Sequence, residues 1–326
     1  MNENNKFYFK MSILLFTSFF IWYLGSSKKK VETEFPFGNS VSKEYKLKDK
    51  PAALENFVPP TIVVFRDSES ILPKRNWLVP PLELKAEAVM AIKLDGNRIY
   101  YNKNMNKQRP IASITKLMTA IIVLENYNLN DVIKITKKDI GREGSSGNLR
   151  VEEIMTIRSL LTIMLIESSN NAAITLANQR PDFILLMNKK AQDLNLSNTN
   201  FTNPDGLDET DNYSSAFDIA KIFSYLIKNH KEALEILKIK NIVIYSSDGK
   251  IEHRLKNTNE LLGRVSEVLA GKTGYTDNAG ESLTLLISDL YSNNFNNDII
   301  TVVLGSPNRF DESEKLIQWL KEAYIW

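Results

Sequence analysis

The chain has 326 residues, enough for one large domain or two, with 43% hydrophobic and 25% charged residues as in ordinary globular proteins. A net charge of +2 gives no basis for a nucleic-acid partner, and with no cysteine there is neither a disulfide nor a thiolate metal site. The two histidines, His230 and His253, fall in no ligand pattern and read as surface residues, so no His-rich metal centre is expected.

Taken from the start, Met11 to Gly25 is an apolar run preceded by Lys6 and Lys10. It is short against the about 17–25 residues of a membrane span, but lengthens if Phe7–Phe9 joins it and Lys10 snorkels. Phe19, Phe20, Trp22 and Tyr23 resemble an interfacial belt. Residues 1–30 therefore read as a short cytoplasmic stub and a membrane anchor, with a signal peptide cleaved near Gly25-Ser26-Ser27 as the alternative. Residues 31–82 hold seven of the eleven prolines and read as a spacer, with one short strand at Thr61–Phe65.

The domain proper is expected over 83–326, ~240 residues and ample for a full core. Ala88–Leu94 and Arg98–Tyr101 flank the turn Asp95-Gly96-Asn97 and predict a β-hairpin. A helix begins after Pro110 and runs through Leu124. A short strand follows at Asp131–Thr136, and Thr156 opens one long apolar helix through Asn178. Asn203–Gly206 is a turn, and Ser214 or Ser215 caps a helix through Ile227. Strands are expected at Ile242–Tyr245, Ser282–Ile287 and Ile299–Leu304, and a closing helix at 312–323. Strands at both ends with helices between them predict an α/β chain of the α+β type, one sheet of distant segments covered by helices.

Three polar clusters carry the chemistry. Ser113 and Lys116 stand at i and i+3 and share a helix face, which pairs a hydroxyl nucleophile with an amine base near a helix N-terminus. The spacing alone identifies nothing, because it recurs at Ser26/Lys29, Ser27/Lys30, Ser40/Lys43 and Ser247/Lys250. Ser168 and Asn170 place a hydroxyl and an amide between apolar flanks, where such groups also serve as plain helix caps. Lys272-Thr273-Gly274-Tyr275 offers a cation, a hydroxyl and open backbone ahead of a turn and an apolar strand.

In that order, S-x-x-K, S-x-N and K-T-G are the motif set of penicillin-binding proteins and class A β-lactamases. The chain from Leu84 to Trp326 resembles the low-molecular-mass penicillin-binding proteins, the serine D-alanyl-D-alanine carboxypeptidases. Ala91–Asn102, Asn203–Leu207, Tyr213–Asp218, Asn257–Leu262 and Arg309–Leu316 extend the match beyond the three motifs. The resemblance implies the penicillin-binding-protein/β-lactamase-like transpeptidase fold, mainly antiparallel sheet flanked by helices. It also implies that Ser113 attacks the penultimate D-alanine carbonyl of a peptidoglycan stem peptide and that terminal D-alanine leaves. Lys116 would be the base, its amine neutralised by burial and by Lys272 as a second cation. Ser168 would relay a proton to the leaving amine, Asn170 would hold Lys116 and the substrate amide, and the N–H groups of Ser113 and Tyr275 would form the oxyanion hole. Lys272, Thr273, Gly274 and Tyr275 would line the substrate site, with Thr273 and Arg309 on the terminal carboxylate. β-Lactams would acylate Ser113, and neither metal nor organic cofactor is required.

Departures from the family pattern are Asn171 after the middle motif and Tyr275 after K-T-G. No further β-rich domain or amphipathic helix follows Trp326, so attachment is expected to fall to the N-terminal segment of an extracytoplasmic enzyme. A D,D-endopeptidase is the nearest alternative activity. A β-lactamase is disfavoured because no E-x-x-L-N string is present, and a Ser-His-Asp hydrolase because there is no G-x-S-x-G elbow. A catalytically silent wall-binding module fits poorly, since every polar group of the site is present.

Overall fold

The computed structural model of the protein describes residues 73–141, 146–288, 290 and 298–325. The anchor, Thr61–Phe65 and most of the spacer lie outside the described residues. Among the described residues no helix is long and apolar enough to cross a membrane.

In chain order the strands are β1 (Lys74–Arg75), β2 (Ala88–Lys93), β3 (Ile99–Lys103), β4 (Val132–Lys134) and β5 (Ile154–Thr156). Later come β6 (Asn241–Tyr245), β7 (Glu252–Lys256), β8 (Val268–Thr276), β9 (Gly280–Ile287), β10 (Ile299–Ser306) and β11 (Tyr324–Ile325). The helices are α1 (Lys116–Asn126), α2 (Ile157–Ile166), α3 (Asn170–Ala177), α4 (Phe183–Asp193), α5 (Ala216–Asn229), α6 (Lys231–Leu237) and α7 (Arg309–Ala323).

The central sheet is antiparallel, in the order β3-β2-β10-β9-β8. Period-2 alternation splits its side chains between two cores. From β2 and β10, Ala88, Met90, Ile92, Ile300, Val302 and Leu304 face a large core shared with α1 to α6. Val89, Ala91, Ile299 and Val303 face the opposite way, against Leu316, Ile317 and Leu320 of α7. Covering both faces explains why β2 is buried at every position rather than alternating with solvent. The β2–β3 hairpin forms as expected, with Gly96 at φ +82° and Asn97 N–H donating to Asp95 Oδ1. Strand β8 is an edge, so one side of its backbone is open to a ligand.

Several sequence expectations need correction. The long helix from Thr156 is two helices: α2 ends at Ile166 and α3 begins at Asn170. Thr156 does cap α2, but Ser168 lies between the helices at φ +63°, in the left-handed region that favours glycine. The closing helix starts at Arg309, capped by Asn308, three residues earlier than expected. Strand β6 pairs with β7 in a separate ribbon outside the central sheet. Residues 73–82, read as the end of the spacer, lie against the domain: β1 pairs with β11, and Trp319 donates to Pro80 O. His253 is not a surface residue. It is buried on β7, with Nε2 2.5 Å from Glu153 Oε1 and Nδ1 2.8 Å from Gly147 O.

Candidate active site

Pro110 ends the loop, and Ala112 then takes φ +49°, turning the chain into a short 3-10 segment, Ala112–Thr115. Ser113 stands on this turn, partly exposed, just ahead of α1, while Lys116 is the first residue of α1 and wholly buried. Three oxygens surround Lys116 Nζ: Ser113 Oγ at 2.7 Å, Asn170 Oδ1 at 2.6 Å and the Asp205 carbonyl at 2.5 Å. The amide and backbone oxygens can only accept, so they take two N–H groups of the amine. With the amine neutral, its lone pair is left for the Ser113 hydroxyl.

The Asp205 carbonyl is delivered by the Asn203–Gly206 turn. Asn203 Oδ1 accepts from Gly206 N–H at 2.7 Å, and Thr119 Oγ1 donates to Pro204 O at 2.6 Å. Gly206 sits at φ +84°, where a Cβ would lie 2.0 Å from Ala112 O. No other residue fits between the turn and the Ser113 segment.

The middle cluster comes from the break between α2 and α3. Ser169 caps α3, Asn170 is its first residue, and Ser168 occupies the strained position before them. A left-handed serine costs roughly 1–3 kcal/mol and persists where the surroundings impose it. Here its hydroxyl accepts from Lys272 Nζ at 2.7 Å.

Strand β8 closes the third side. Lys272 is buried and also donates to Thr273 O at 2.9 Å. A Cβ on Gly274 would lie 2.9 Å from Ile111 O and 3.1 Å from Ser113 N, so glycine lets β8 press against the Ser113 turn. Thr273 Oγ1 is 2.6 Å from Thr258 Oγ1, and Arg309 Nη1 donates to Gly274 O at 3.1 Å. Ser113, Ser168, Asn170, Thr273, Gly274, Tyr275 and Arg309 line one cleft of about 690 Å³, with Lys116 and Lys272 in its floor. Every residue named from sequence thus converges on one place.

The electrostatics differ from the expectation in one respect. Burial, not a second cation, is the chief cause bringing Lys116 from 10.5 down to about 7, and the Asp205 carboxylate pulls it back up. Lys272 is held well below its ordinary value, first by burial, then by Lys116 and Arg309. The two amines repel and titrate as a pair, so the doubly protonated state is the one disfavoured. Lys272 donates to the Ser168 hydroxyl and the Thr273 carbonyl.

Two participants carried no functional signal in the sequence. The part of Asp205 in the site is a backbone carbonyl, which residue identity does not reveal. Thr258 lies in Asn257–Leu262, and its contact with Thr273 Oγ1 comes from a residue 15 positions further along the chain, which local pattern does not reveal. Among the described residues no cluster of three or more His, Asp or Glu side chains could hold a metal ion.

The model of the family peptidase S11, described as D-alanyl-D-alanine carboxypeptidase, matches residues 75–308. The D-alanyl-D-alanine carboxypeptidase DacF of Bacillus subtilis is 30% identical over 249 residues, 74% of this chain and 62% of its own length. A D-alanyl-D-alanine endopeptidase of Haemophilus influenzae is 33% identical over 209 residues, 62% of this chain and 70% of that protein. The chain therefore spans under two thirds of the length of the Bacillus relative. Among solved structures, penicillin-binding protein D2 of Listeria monocytogenes, in a cefotaxime-bound form, superposes with a TM-score of 0.64 at 28% identity. That likeness covers 74% of this chain and 99% of the other. The family model runs from β1 through the end of β10 and takes in all three polar clusters, so the chain belongs to peptidase S11, the D-alanyl-D-alanine carboxypeptidase family.

Proposed function

We propose that this protein is a serine-type D-alanyl-D-alanine carboxypeptidase that removes terminal D-alanine from peptidoglycan stem peptides and is acylated by β-lactams. The observation that carries the reading is Lys116 Nζ, 2.7 Å from Ser113 Oγ with its other two positions committed to Asn170 and Asp205. The neutral amine takes the hydroxyl proton as Ser113 Oγ bonds to the penultimate D-alanine carbonyl carbon. The resulting oxyanion faces the N–H groups of Ser113 and Tyr275. Ser168 passes a proton to the leaving amine, the D-alanine C–N bond breaks, and water then hydrolyses the ester. The terminal carboxylate sits by Thr273 and Arg309, both of which line the cleft.

In a direct assay, D-alanine should be released from a pentapeptide ending in D-Ala-D-Ala faster than a cross-linked dimer is cut. The Haemophilus relative named as an endopeptidase supports the second reading, cleavage of cross-links. Faster cleavage of the dimer would select that reading, and cleavage of neither would remove both.

Met11–Gly25 supports a further part of the proposal: a single N-terminal anchor holding the catalytic domain on the outer face of the cell membrane. Removing residues 1–30 should shift the protein from the membrane fraction to the soluble one with its penicillin labelling intact. Retention in the membrane fraction would place the anchor elsewhere.

A further inference from the structure

The buried Glu153–His253 pair has no part in the chemistry above, yet it reaches the segment that braces Ser168. Its side chains are 0% and 1% exposed. Gly147 O can only accept, so His253 Nδ1 carries a proton and donates to it. Glu153 holds the other ring nitrogen through Oε1 and accepts from Arg150 N–H through Oε2 at 3.0 Å. The Gly147 carbonyl is thereby fixed from a ribbon, β6–β7, that lies outside the central sheet.

What Gly147 carries is the wall behind the strained serine. It sits at φ +88°, so tightly against α2 that a Cβ would lie 2.3 Å from Ile163 Cγ2. Its neighbour Ser146 brackets the helix break from both ends. Ser146 Oγ donates to Glu167 O, and Ser146 O accepts from Ser169 Oγ, each at 2.6 Å. Ser168, the left-handed residue, stands between Glu167 and Ser169. Ser146 and Glu167 also line the catalytic cleft.

We propose that His253, held by Glu153, is a positioning residue that fixes the Ser146–Gly147 segment and through it keeps the Ser168 hydroxyl on the path of the leaving group. The inference rests on the acyl-transfer reading above. A buried ionisable pair is a weak source of stability compared with apolar residues of similar volume. Its distinct product here is a directed hydrogen bond. Loosening the bracket displaces a reacting group, and a misplacement of about 1 Å lowers rates by as much as ~10²-fold.

The test uses the full chain and fluorescent penicillin. The double variant Glu153→Leu/His253→Phe removes both partners, so no charge is stranded in the core. It should keep the wild-type melting temperature within a few degrees and be acylated at least tenfold more slowly. Glu153→Gln still accepts from Arg150 and donates to the imidazole, and should be acylated within twofold of the wild type. The core variant Leu316→Ala, behind the opposite face of the sheet, should melt earlier with an unchanged acylation rate. Acylation that simply follows melting temperature, or a Glu153→Gln variant as slow as the double variant, would overturn the proposal. If the double variant does not fold, Glu153→Leu takes its place, with the same slow acylation expected. The Ser168 amide resonance, read in each protein, should move in Glu153→Leu and stay in place in Glu153→Gln. An unsubstituted protein that no penicillin acylates would sink the functional reading, while that resonance would still decide the clamp.

Discussion

Replacing Lys116 with methionine should lower the rate of acylation by a penicillin about 10²–10⁴-fold, the usual worth of a positioned base. Methionine keeps the length and apolar stem of the side chain, so the buried volume beneath Ser113 is preserved. What is lost is the amine that stands 2.7 Å from the Ser113 hydroxyl. The same assignment fixes the pH dependence of the unsubstituted protein. Lys116 titrates near 7, and only its neutral form accepts a proton, so acylation should rise as pH increases through about 7 and then level off. The methionine variant should lack that rise. Stopped-flow acylation between pH 5.5 and 9 measures both quantities, and an equal rise in the variant would take the base assignment away from Lys116.

Lys272→Ala should lower acylation about 10²–10³-fold, in the range seen when one preorganised donor is removed from an active site. Two losses combine. Ser168 Oγ loses its donor at 2.7 Å, and Thr273 O loses its donor at 2.9 Å. An unchanged rate would remove Lys272 from the site.

Much of this architecture is written locally in the chain. The β2–β3 hairpin follows from an apolar strand, Asp95-Gly96 turn chemistry and a second strand. The Ser215 cap of α5 was likewise legible, because its side chain needs only the first turn of its own helix. The division of the Thr156–Asn178 run was not. Ser168, Ser169 and Asn170 interrupt its apolar residues with capping side chains, and Ser169 does cap α3, but the left-handed turn at Ser168 is held by partners 20 or more residues away, Ser146 and Lys272. A position that favours glycine holds serine there, with its hydroxyl bonded to Lys272. His253 had a readable signal. In Glu252-His253-Arg254-Leu255-Lys256 the period-2 pattern turns His253 and Leu255 inward and leaves the charged residues outside. The three motifs gave the cleft because each brings side-chain chemistry. The Asp205 carbonyl could not be read, since every residue has one.

The most direct test is the intact mass of the protein after exposure to a penicillin, followed by mapping of the modified peptide. Opening the lactam ring onto Ser113 expels nothing, so the mass should grow by one whole penicillin. The label should map to the peptide holding Ser113, persist through the measurement, and be absent from Ser113→Ala. No added mass, or a label that survives in Ser113→Ala, would contradict the claim that a neutral Lys116 amine makes Ser113 the nucleophile.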